Sequence, residues 1–351
     1  MIESSRSRTA LATSLIRALH SRRDPSPLLD DPWGDRLVPE SERDRFGQRI
    51  LARMDSGARA AALRAPGSIL DDFLLTNVAY AGVVIRSRYT EDALREATNR
   101  GTLQYVLIGA GLDSFALRRP SFSRALEIFE IDHPATQAFK IQRIKDCGIS
   151  LPASVHFVSA DIANEDLATA LARSSFRRDE PAFFSWLGVT VYLTREANLA
   201  TLRAVASVGA AGSELVFTYV DQIEFVSGGS RSLGDANAKA VAMMGEPYVS
   251  GFDPKEIASD LMHVGLELIE DLDGMKMSER YGRTGANALQ PPVSLHIARA
   301  RVQSDQPVVG RMGFASLYPS YNFCPTGKSA NLLSSPTREN IPLVPSGKSV
   351  I

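Results

Sequence analysis

The sequence predicts an α/β fold built around a mostly parallel β-sheet, and three apolar segments carry this prediction. The first, residues 105–108, runs into Gly109 and Gly111, as expected of a buried strand that turns tightly and lets a ligand approach its backbone. The other two segments end in Asp132 and Asp161. Because ligands of open α/β sheets bind at the carboxyl ends of the strands, the turn and both carboxylates are expected beside one pocket.

From residue 103 onward, stretches of strand and helix character alternate, which predicts a seven-stranded sheet with helices on both faces. Strands are expected at 103–108, 126–131, 155–158, 182–187, 213–219, 266–271 and 294–300. Helices are expected at 9–20, 41–63, 68–99, 114–118, 134–146, 164–174, 195–208, 236–244 and 254–264. Only a short connection precedes the final strand, which leaves room for an antiparallel orientation.

The alternation also suggests how the chain is divided. Residues 1–84 are expected to form an N-terminal helical cap and residues 85–302 the domain that contains the sheet. Residues 221–253 interrupt the pattern after the fifth strand, as a helical insertion at the edge where ligands bind. Residues 303–351 are rich in Ser, Pro, Asn and Gly and are expected to be a poorly ordered tail.

Bulk properties limit the partners that the protein could bind. The 351-residue chain has a formal net charge of -1, so no strong field would attract nucleic acid or an anionic membrane. No apolar stretch approaches the roughly 18 residues of a membrane span. Cys147 and Cys324 show neither a disulfide framework nor metal-ligand spacing. We therefore expect a cytoplasmic protein that acts on a small molecule and holds no metal.

The first 23 residues are rich in arginine and serine and would suit either a transit peptide or a first helix. Leu11, Leu15 and Leu19 would share one face of such a helix. The helix is the preferred interpretation, and the family resemblance described below supports it.

The residues around the glycine turn discriminate between two classes of nucleotide cofactor. A dinucleotide site would have a third glycine where this chain has Ser114. Asp113 would repel a pyrophosphate but attract a cationic sulfonium. S-Adenosylmethionine (SAM) combines a ribose, an adenine, a cationic sulfur and an amino-acid end without any phosphate. The residues therefore favour SAM, and an NAD(P)-linked oxidoreductase is the alternative.

Several segments resemble the leucine carboxyl methyltransferase-like family of class I SAM-dependent methyltransferases, which have a Rossmann-like fold. These segments are residues 9–32, 85–89, 109–114, 130–134 and 186–193. The family includes protein phosphatase methyltransferases and microbial O-methyltransferases linked to polyketide metabolism. One departure is Leu187, which stands where many members have a glutamate. This departure weakens the prediction of the substrate but not that of the cofactor.

The resemblance implies roles for the residues that would hold the amino-acid end of SAM. Arg88, together with Arg86, would pair with the methionyl carboxylate, because a guanidinium can donate two parallel N–H groups. A surface ion pair is the alternative for each arginine. Asp113 would lie near the amino end of SAM.

Further residues would hold the adenosine and the methyl group. Asp132 would accept hydrogen bonds from the ribose hydroxyls, and Asp161 from the adenine amino group, with Ile162 against the ring. A helix cap is the alternative for both aspartates. Gly188 and Tyr192 would line the floor of the pocket near the methyl group. The resemblance also marks the following residues as cofactor-binding: Gly109, Ala110, Gly111, Glu130, His133 and Leu187.

The activity implied is transfer of a methyl group from SAM to a carboxylate or hydroxyl of a small molecule, with a polyketide-type secondary metabolite as one candidate. No catalytic base stands out in the sequence, which favours a carboxyl acceptor because a carboxylate is ionised at neutral pH. Two alternatives are a non-catalytic SAM-binding or regulatory protein, which Leu187 would support, and a methyltransferase of protein C-terminal carboxylates.

Overall fold

The strands expected from the sequence form one sheet. The computed structural model describes residues 8–64, 68–162, 164–223, 248–282 and 288–304. Within these ranges the strands are β1 (Gln104–Ile108), β2 (Glu127–Asp132), β3 (Val155–Ser159), β4 (Ala182–Trp186), β5 (Glu214–Val220), β6 (Leu266–Leu272) and β7 (Leu295–Val302). Their order in the sheet is β3-β2-β1-β4-β5-β7-β6. Strand β7 is antiparallel to both neighbours and all other pairs are parallel, so the predicted sheet is confirmed.

Helices surround this sheet and account for most of the remaining described residues. They are α1 (Arg8–Arg23), α2 (Trp33–Leu37), α3 (Glu40–Arg53), α4 (Ser56–Arg64), α5 (Ile69–Leu75), α6 (Ala79–Asn99), α7 (Phe115–Arg118), α8 (Pro134–Asp146), α9 (Leu167–Leu171), α10 (Arg195–Val208), α11 (Ile257–His263) and α12 (Gly274–Tyr281). Short 3-10 turns lie at Ser121–Ser123 and Thr190–Tyr192. None of the described helices has both the length and the apolar character needed to cross a bilayer.

The prediction of one helix over 41–63 was wrong, because the chain forms α3 and α4 there. Met54 adopts an extended conformation, and the Asp55 carboxylate accepts a hydrogen bond from the backbone N–H of Ala58 at 2.8 Å. A carboxylate that bonds backbone N–H groups in this way starts a new helix rather than continuing an old one. The helix expected at 236–244 and the tail beyond residue 304 lie outside the described residues, and the division into a cap and a sheet domain stays a prediction.

The side chains of β1 alternate between two apolar layers, and all five residues of the strand are buried. Tyr105 and Leu107 pack in a core that includes residues of α1 and α6. Val106 and Ile108 pack in a second core with residues of α10 and α11. Both faces of the sheet are therefore covered, and a ligand can reach β1 only at the end of the strand.

The order of the strands creates a crevice at the carboxyl end of β1. The chain leaves β1 towards β2 and β3 on one side and then returns to β4 on the other side of β1. Such a reversal of strand order is where open α/β sheets bind ligands. The glycine turn that follows Ile108 lies at this point.

A buried ion network anchors the N-terminal segment to the glycine turn. Arg17 of α1 donates from Nε to Asp31 Oδ2 at 2.7 Å and from Nη2 to the carbonyl of Leu112 at 2.7 Å. The Ser114 hydroxyl donates to Asp31 Oδ2 at 2.5 Å, and Arg118 Nε donates to that hydroxyl at 3.1 Å. Ser114, which replaces the third glycine of a dinucleotide site, therefore bonds the loop that follows α1.

We expect Asp31→Asn to lower the free energy of unfolding by about 3 kcal/mol, because the buried guanidinium of Arg17 would lose its anionic partner. Burial opposes ionisation of Asp31, but Arg17 and Arg118 hold its pKa below the usual range. The stabilisation that ionised Asp31 provides is therefore present at neutral pH and is lost as the pH falls below about 4. Urea denaturation at neutral and acidic pH measures both effects. Asp30→Asn, at an exposed neighbouring position, is the control, and equal stabilities of the two variants would contradict this role.

Candidate functional site

A cleft of about 130 Å³ lies at the carboxyl ends of the strands. Residues predicted to bind the cofactor form part of its wall: Gly109, Asp132, His133, Asp161 and Ile162. Several of the other lining residues are apolar, among them Trp186 and Val189. The ends of β1, β2 and β3 thus meet at one cleft, as the sequence indicated.

The glycine turn needs glycine because of both conformation and space. Gly109 has φ +69° and Gly111 has φ +50°, in the left-handed region that side chains disfavour. A Cβ at position 109 would lie 2.8 Å from Val189 Cγ2. The N–H groups of Gly109 and Ala110 both donate to the carbonyl of Ile131, at 2.9 and 3.1 Å. The turn is therefore tied to β2, and its backbone borders the cleft.

Asp132 is held at the end of β2 by backbone groups. Its carboxylate accepts hydrogen bonds from the N–H groups of Gly111 and of His133, the latter at 2.7 Å. Burial raises the pKa of Asp132, although both hydrogen bonds and Lys140 oppose the shift. A carboxylate has about four acceptor positions, so two more hydrogen bonds can be accepted. This capacity fits the two hydroxyls of a ribose.

Asp161 does not cap the helix that follows it, so the alternative interpretation of Asp161 as a helix cap is wrong. The N-cap of α9 is Asp166, whose carboxylate accepts a hydrogen bond from the N–H of Thr169 at 3.1 Å. Asp161 instead lines the cleft beside Ile162 and accepts a hydrogen bond from Asn164 Nδ2 at 2.7 Å. An acceptor next to an aliphatic side chain suits the amino group and ring of an adenine.

The two arginines of the 85–89 segment have different surroundings. Arg88 donates from Nε to Asp92 at 2.9 Å and from Nη1 to the carbonyl of Leu28 at 2.9 Å. Arg86 instead lies against Gly188, where a Cβ would be only 2.6 Å from its Nη1. On an α-helix, side chains two residues apart point in directions that differ by about 200° around the helix axis. The guanidinium groups of Arg86 and Arg88 are therefore separated. The structure thus places Arg86 against Gly188, next to the cleft residue Val189, and places Arg88 in the surface ion pair that was its alternative.

Arg86 carries a positive charge beside Gly188. Burial lowers its pKa to about 10, so the guanidinium remains charged at neutral pH. The groups that interact with it electrostatically include Asp113, Tyr192 and Tyr248, and no carboxylate of the described residues forms an ion pair with it. Asp113 itself accepts a hydrogen bond from the N–H of Phe115 at 2.7 Å. A ligand carboxylate would give Arg86 the anionic partner that it lacks.

Tyr248 is a site residue that sequence reasoning missed. Its ring lies edge-on to that of Tyr192, with 5.8 Å between centroids, and burial raises its pKa. The next residue, Val249, donates its N–H to the carbonyl of Val191 at 2.6 Å, which holds this segment against the end of β4. The only signal in the sequence was the position of Tyr248 inside the 221–253 insertion.

Nine predicted residues are not among those that line the cleft: Arg86, Arg88, Ala110, Gly111, Asp113, Glu130, Leu187, Gly188 and Tyr192. Glu130 is fully buried within β2 and pairs with Lys140 of α8. Leu187 packs against the apolar core that contains α1 and α6. His133 does line the cleft, and its Nδ1 accepts a hydrogen bond from the N–H of Ala135, so it also caps α8. Gly188 is held by a hydrogen bond from its N–H to Thr218 Oγ1 at 2.8 Å.

The charged and polar residues of the candidate site fit SAM as the ligand. Carboxylates suit the ribose diol and the adenine amino group, and a charged guanidinium without an ion-pair partner suits the methionyl carboxylate. The carboxylate of Asp113 beside the turn disfavours a pyrophosphate. Fold and site together define a class I SAM-dependent methyltransferase.

Comparison with known proteins supports this class and identifies the family. The sequence model of the family described as leucine carboxyl methyltransferase matches residues 10–206, so the chain belongs to this family. YktD of Bacillus subtilis (strain 168), which is classed with the SAM-dependent methyltransferases, is 30% identical over 295 residues, or 83% of this chain and 96% of YktD. A relative of the same class from Mycolicibacterium gilvum (strain PYR-GCK) is 28% identical over 228 residues, or 65% of this chain and 70% of the relative.

A solved structure confirms the fold. The crystal structure of a DUF574 family protein from Streptomyces avermitilis MA-4680 superposes with a TM-score of 0.52 at 14% identity and covers 86% of this chain and 100% of that protein. The protein described here is therefore an enzyme that uses SAM as its methyl donor.

We predict that Arg86→Gln weakens binding of S-adenosylhomocysteine, the demethylated product of SAM, by about 30-fold or more, because a buried charged partner is lost. Arg88→Gln, a substitution of the same kind two residues later, should change the dissociation constant little. Isothermal titration calorimetry measures both values. A larger loss in the Arg88 variant would reverse the assignment.

We also predict that Asp132→Asn weakens binding of S-adenosylhomocysteine by about 100-fold, since two hydrogen bonds to a charged acceptor would be impaired. Asp166→Asn retains the cap of α9 and serves as the control for a surface carboxylate. Unchanged affinity of the Asp132 variant in the same titration would remove Asp132 from the ribose site.

Proposed function

We propose that this enzyme transfers the methyl group of SAM to a carboxylate oxygen of a small molecule. One observation carries the proposal: among the described residues, the groups that act most strongly on the charge of Arg86 are Tyr192, Arg17, Tyr248 and Asp113, and none of them is a histidine. Burial raises the pKa of Tyr248, so this phenol stays protonated at neutral pH and is a poor base. A carboxylate acceptor is already ionised at neutral pH and needs no base, whereas a hydroxyl acceptor would need one.

The residues of the cleft would act mainly by positioning. When bound, SAM supplies a methyl group on a cationic sulfur that is already a good leaving group. Asp132 and Asp161 would hold the adenosine, and Arg86 would hold the methionyl carboxylate. Fixing both ends of the donor aligns the methyl group with an acceptor, and such alignment supplies several kcal/mol of the rate enhancement.

The N-terminal helix would exclude water from the reacting groups. A Cβ at Gly111 would lie 3.1 Å from the Cβ of Ala10, so α1 passes directly over the glycine turn. Thr9 Oγ1 lies 3.3 Å from the hydroxyl of Tyr192, so the start of α1 contacts the residue that we expect near the methyl group. Together with Tyr248, these residues would bound the space for the acceptor.

Several finer expectations remain predictions. A polyketide-type acceptor and a role in secondary metabolism are implied by the family resemblance alone, and a cytoplasmic location is expected only from the composition and the two cysteines. The proposal that the methyl acceptor is a carboxylate depends instead on the ionisable groups around Arg86.

The stability of the methylated product in base tests the proposed acceptor. The enzyme would be incubated with SAM carrying a tritiated methyl group and with a whole cell extract, and the products would be separated into small molecules and protein. Carboxyl methyl esters release volatile labelled methanol in mild base, whereas methyl ethers of hydroxyl groups do not. We expect base-labile label that depends on active enzyme, with the Asp132→Asn variant as the control. Base-stable label would indicate a hydroxyl acceptor, and label in the protein fraction would indicate a protein carboxylate.

A further inference from the structure

A buried asparagine of α10 joins two segments of the candidate site. The first segment is the turn after β4, residues 188–193, here called the β4 turn, and the second is residues 248–250. The side chain of Asn198 is fully buried. Its Nδ2 donates to the carbonyl of Thr190 at 2.9 Å and to Ser250 Oγ at 3.2 Å. One amide group therefore bonds both segments.

Two further hydrogen bonds complete the contact between these segments. Ser250 Oγ donates to the carbonyl of Leu193 at 2.6 Å, and the N–H of Val249 donates to the β4 turn as described above. The bonded backbone groups lie next to Tyr192 in the first segment and next to Tyr248 in the second. The network thus holds together the two chain segments whose tyrosine rings meet edge-on.

The β4 turn has a second anchor that does not involve Asn198. The N–H of Gly188 donates to Thr218 Oγ1 at 2.8 Å, and Thr190 Oγ1 donates to the carbonyl of Thr218 at 2.6 Å. Both bonds tie the turn to β5. The hydroxyl of Ser250, by contrast, is oriented by the N–H group that it accepts from Asn198. Loss of Asn198 should therefore loosen the second segment more than the β4 turn, part of which lines the cofactor cleft.

Asparagine is a poor choice for stability at this position. It has a low helix propensity, and neighbouring positions of α10 bury apolar side chains such as Ala197 and Leu202. The Oδ1 of Asn198 is buried without a hydrogen-bond partner among the residues that the structure describes. A buried acceptor that lacks a donor lowers the stability of the fold. Residues that break local rules in this way are expected where a position serves function.

We propose that Asn198 is a positioning residue for the methyl acceptor: it holds residues 248–250 against the β4 turn and so sets the separation of Tyr192 and Tyr248. This inference rests on the proposed function, in which these two tyrosines bound the acceptor space. It does not depend on whether the acceptor is a carboxylate or a hydroxyl. The amide suits this role because it offers two N–H donors, whereas a serine or threonine hydroxyl offers one.

Asn198→Leu tests this role, because leucine has a similar size but neither donor. The assay uses SAM with a tritiated methyl group and increasing amounts of whole cell extract. We expect the amount of extract that gives half-maximal labelling of small molecules to rise about tenfold, as for the loss of a buried hydrogen bond. The labelling rate at saturation should fall less. Calorimetry should give a nearly unchanged dissociation constant for S-adenosylhomocysteine, because Thr218 still anchors the β4 turn.

Two further variants separate positioning from a general loss of stability. Ser250→Ala should act in the same direction as Asn198→Leu, and the double variant should be little worse than Asn198→Leu alone, because both substitutions remove the same bond. Ser213→Ala is the matched control. Its hydroxyl is also buried and accepts a hydrogen bond from the N–H of Ala182 at 3.0 Å, but at the opposite edge of the sheet. It should leave half-maximal labelling at the same amount of extract.

Amide hydrogen exchange gives a measurement that needs no acceptor. Residues 249–252 should exchange about tenfold faster in Asn198→Leu, while β5 is unchanged. Unchanged exchange of residues 249–252, or unchanged half-maximal labelling, would overturn the inference and leave the proposed function intact. An equal loss of S-adenosylhomocysteine affinity would also overturn it, because Asn198 would then support the cofactor cleft. If the unmodified enzyme labels no component of the extract, the proposed function fails and the inference fails with it.

Discussion

The hydrogen bond from the Gly111 N–H to the carboxylate of Asp132 is the contact on which the site depends. It joins the turn after β1 to the end of β2, and the N–H groups of Gly109 and Ala110 strengthen the same link through the carbonyl of Ile131. The turn can reach the carboxylate only because the backbone of Gly111 adopts a positive φ. The groups proposed to bind the donor are thereby held at one edge of the sheet, and such preorganisation lowers the entropic cost of binding.

A second constraint is the distribution of buried charge around this edge. Asp31 lies between Arg17 and Arg118 and anchors α1 and the following loop to the glycine turn. Lys140 lies next to Glu130 beneath Asp132. Arg86 is the exception, since no described carboxylate forms an ion pair with it. A buried charge without an ion-pair partner is costly unless a ligand supplies the partner, which supports the proposal that Arg86 binds the methionyl carboxylate of the donor.

Sequence patterns predicted the sheet well because each strand carries its own signal. The run before Gly109 is apolar throughout and becomes the central strand with both faces covered. Patterns were less informative in the N-terminal helices, where Asp55 starts a second helix within a periodic stretch. Among site residues, Asp132 and Asp161 could be found because they end apolar strands. Tyr248 could not, because its contact with Tyr192 joins segments that are far apart in the chain.

The sequence by itself determined the order of strands and helices, the glycine turn and the acidic strand ends, since these follow from local periodicity and from backbone conformations that only glycine adopts readily. Only the tertiary structure decided which of two nearby arginines lies against Gly188, because the direction of a side chain depends on the rotation of its helix against the sheet. It also decided that Glu130 pairs with Lys140 rather than with a ligand. Such pairings depend on which distant charges are brought together in a region where water no longer screens them.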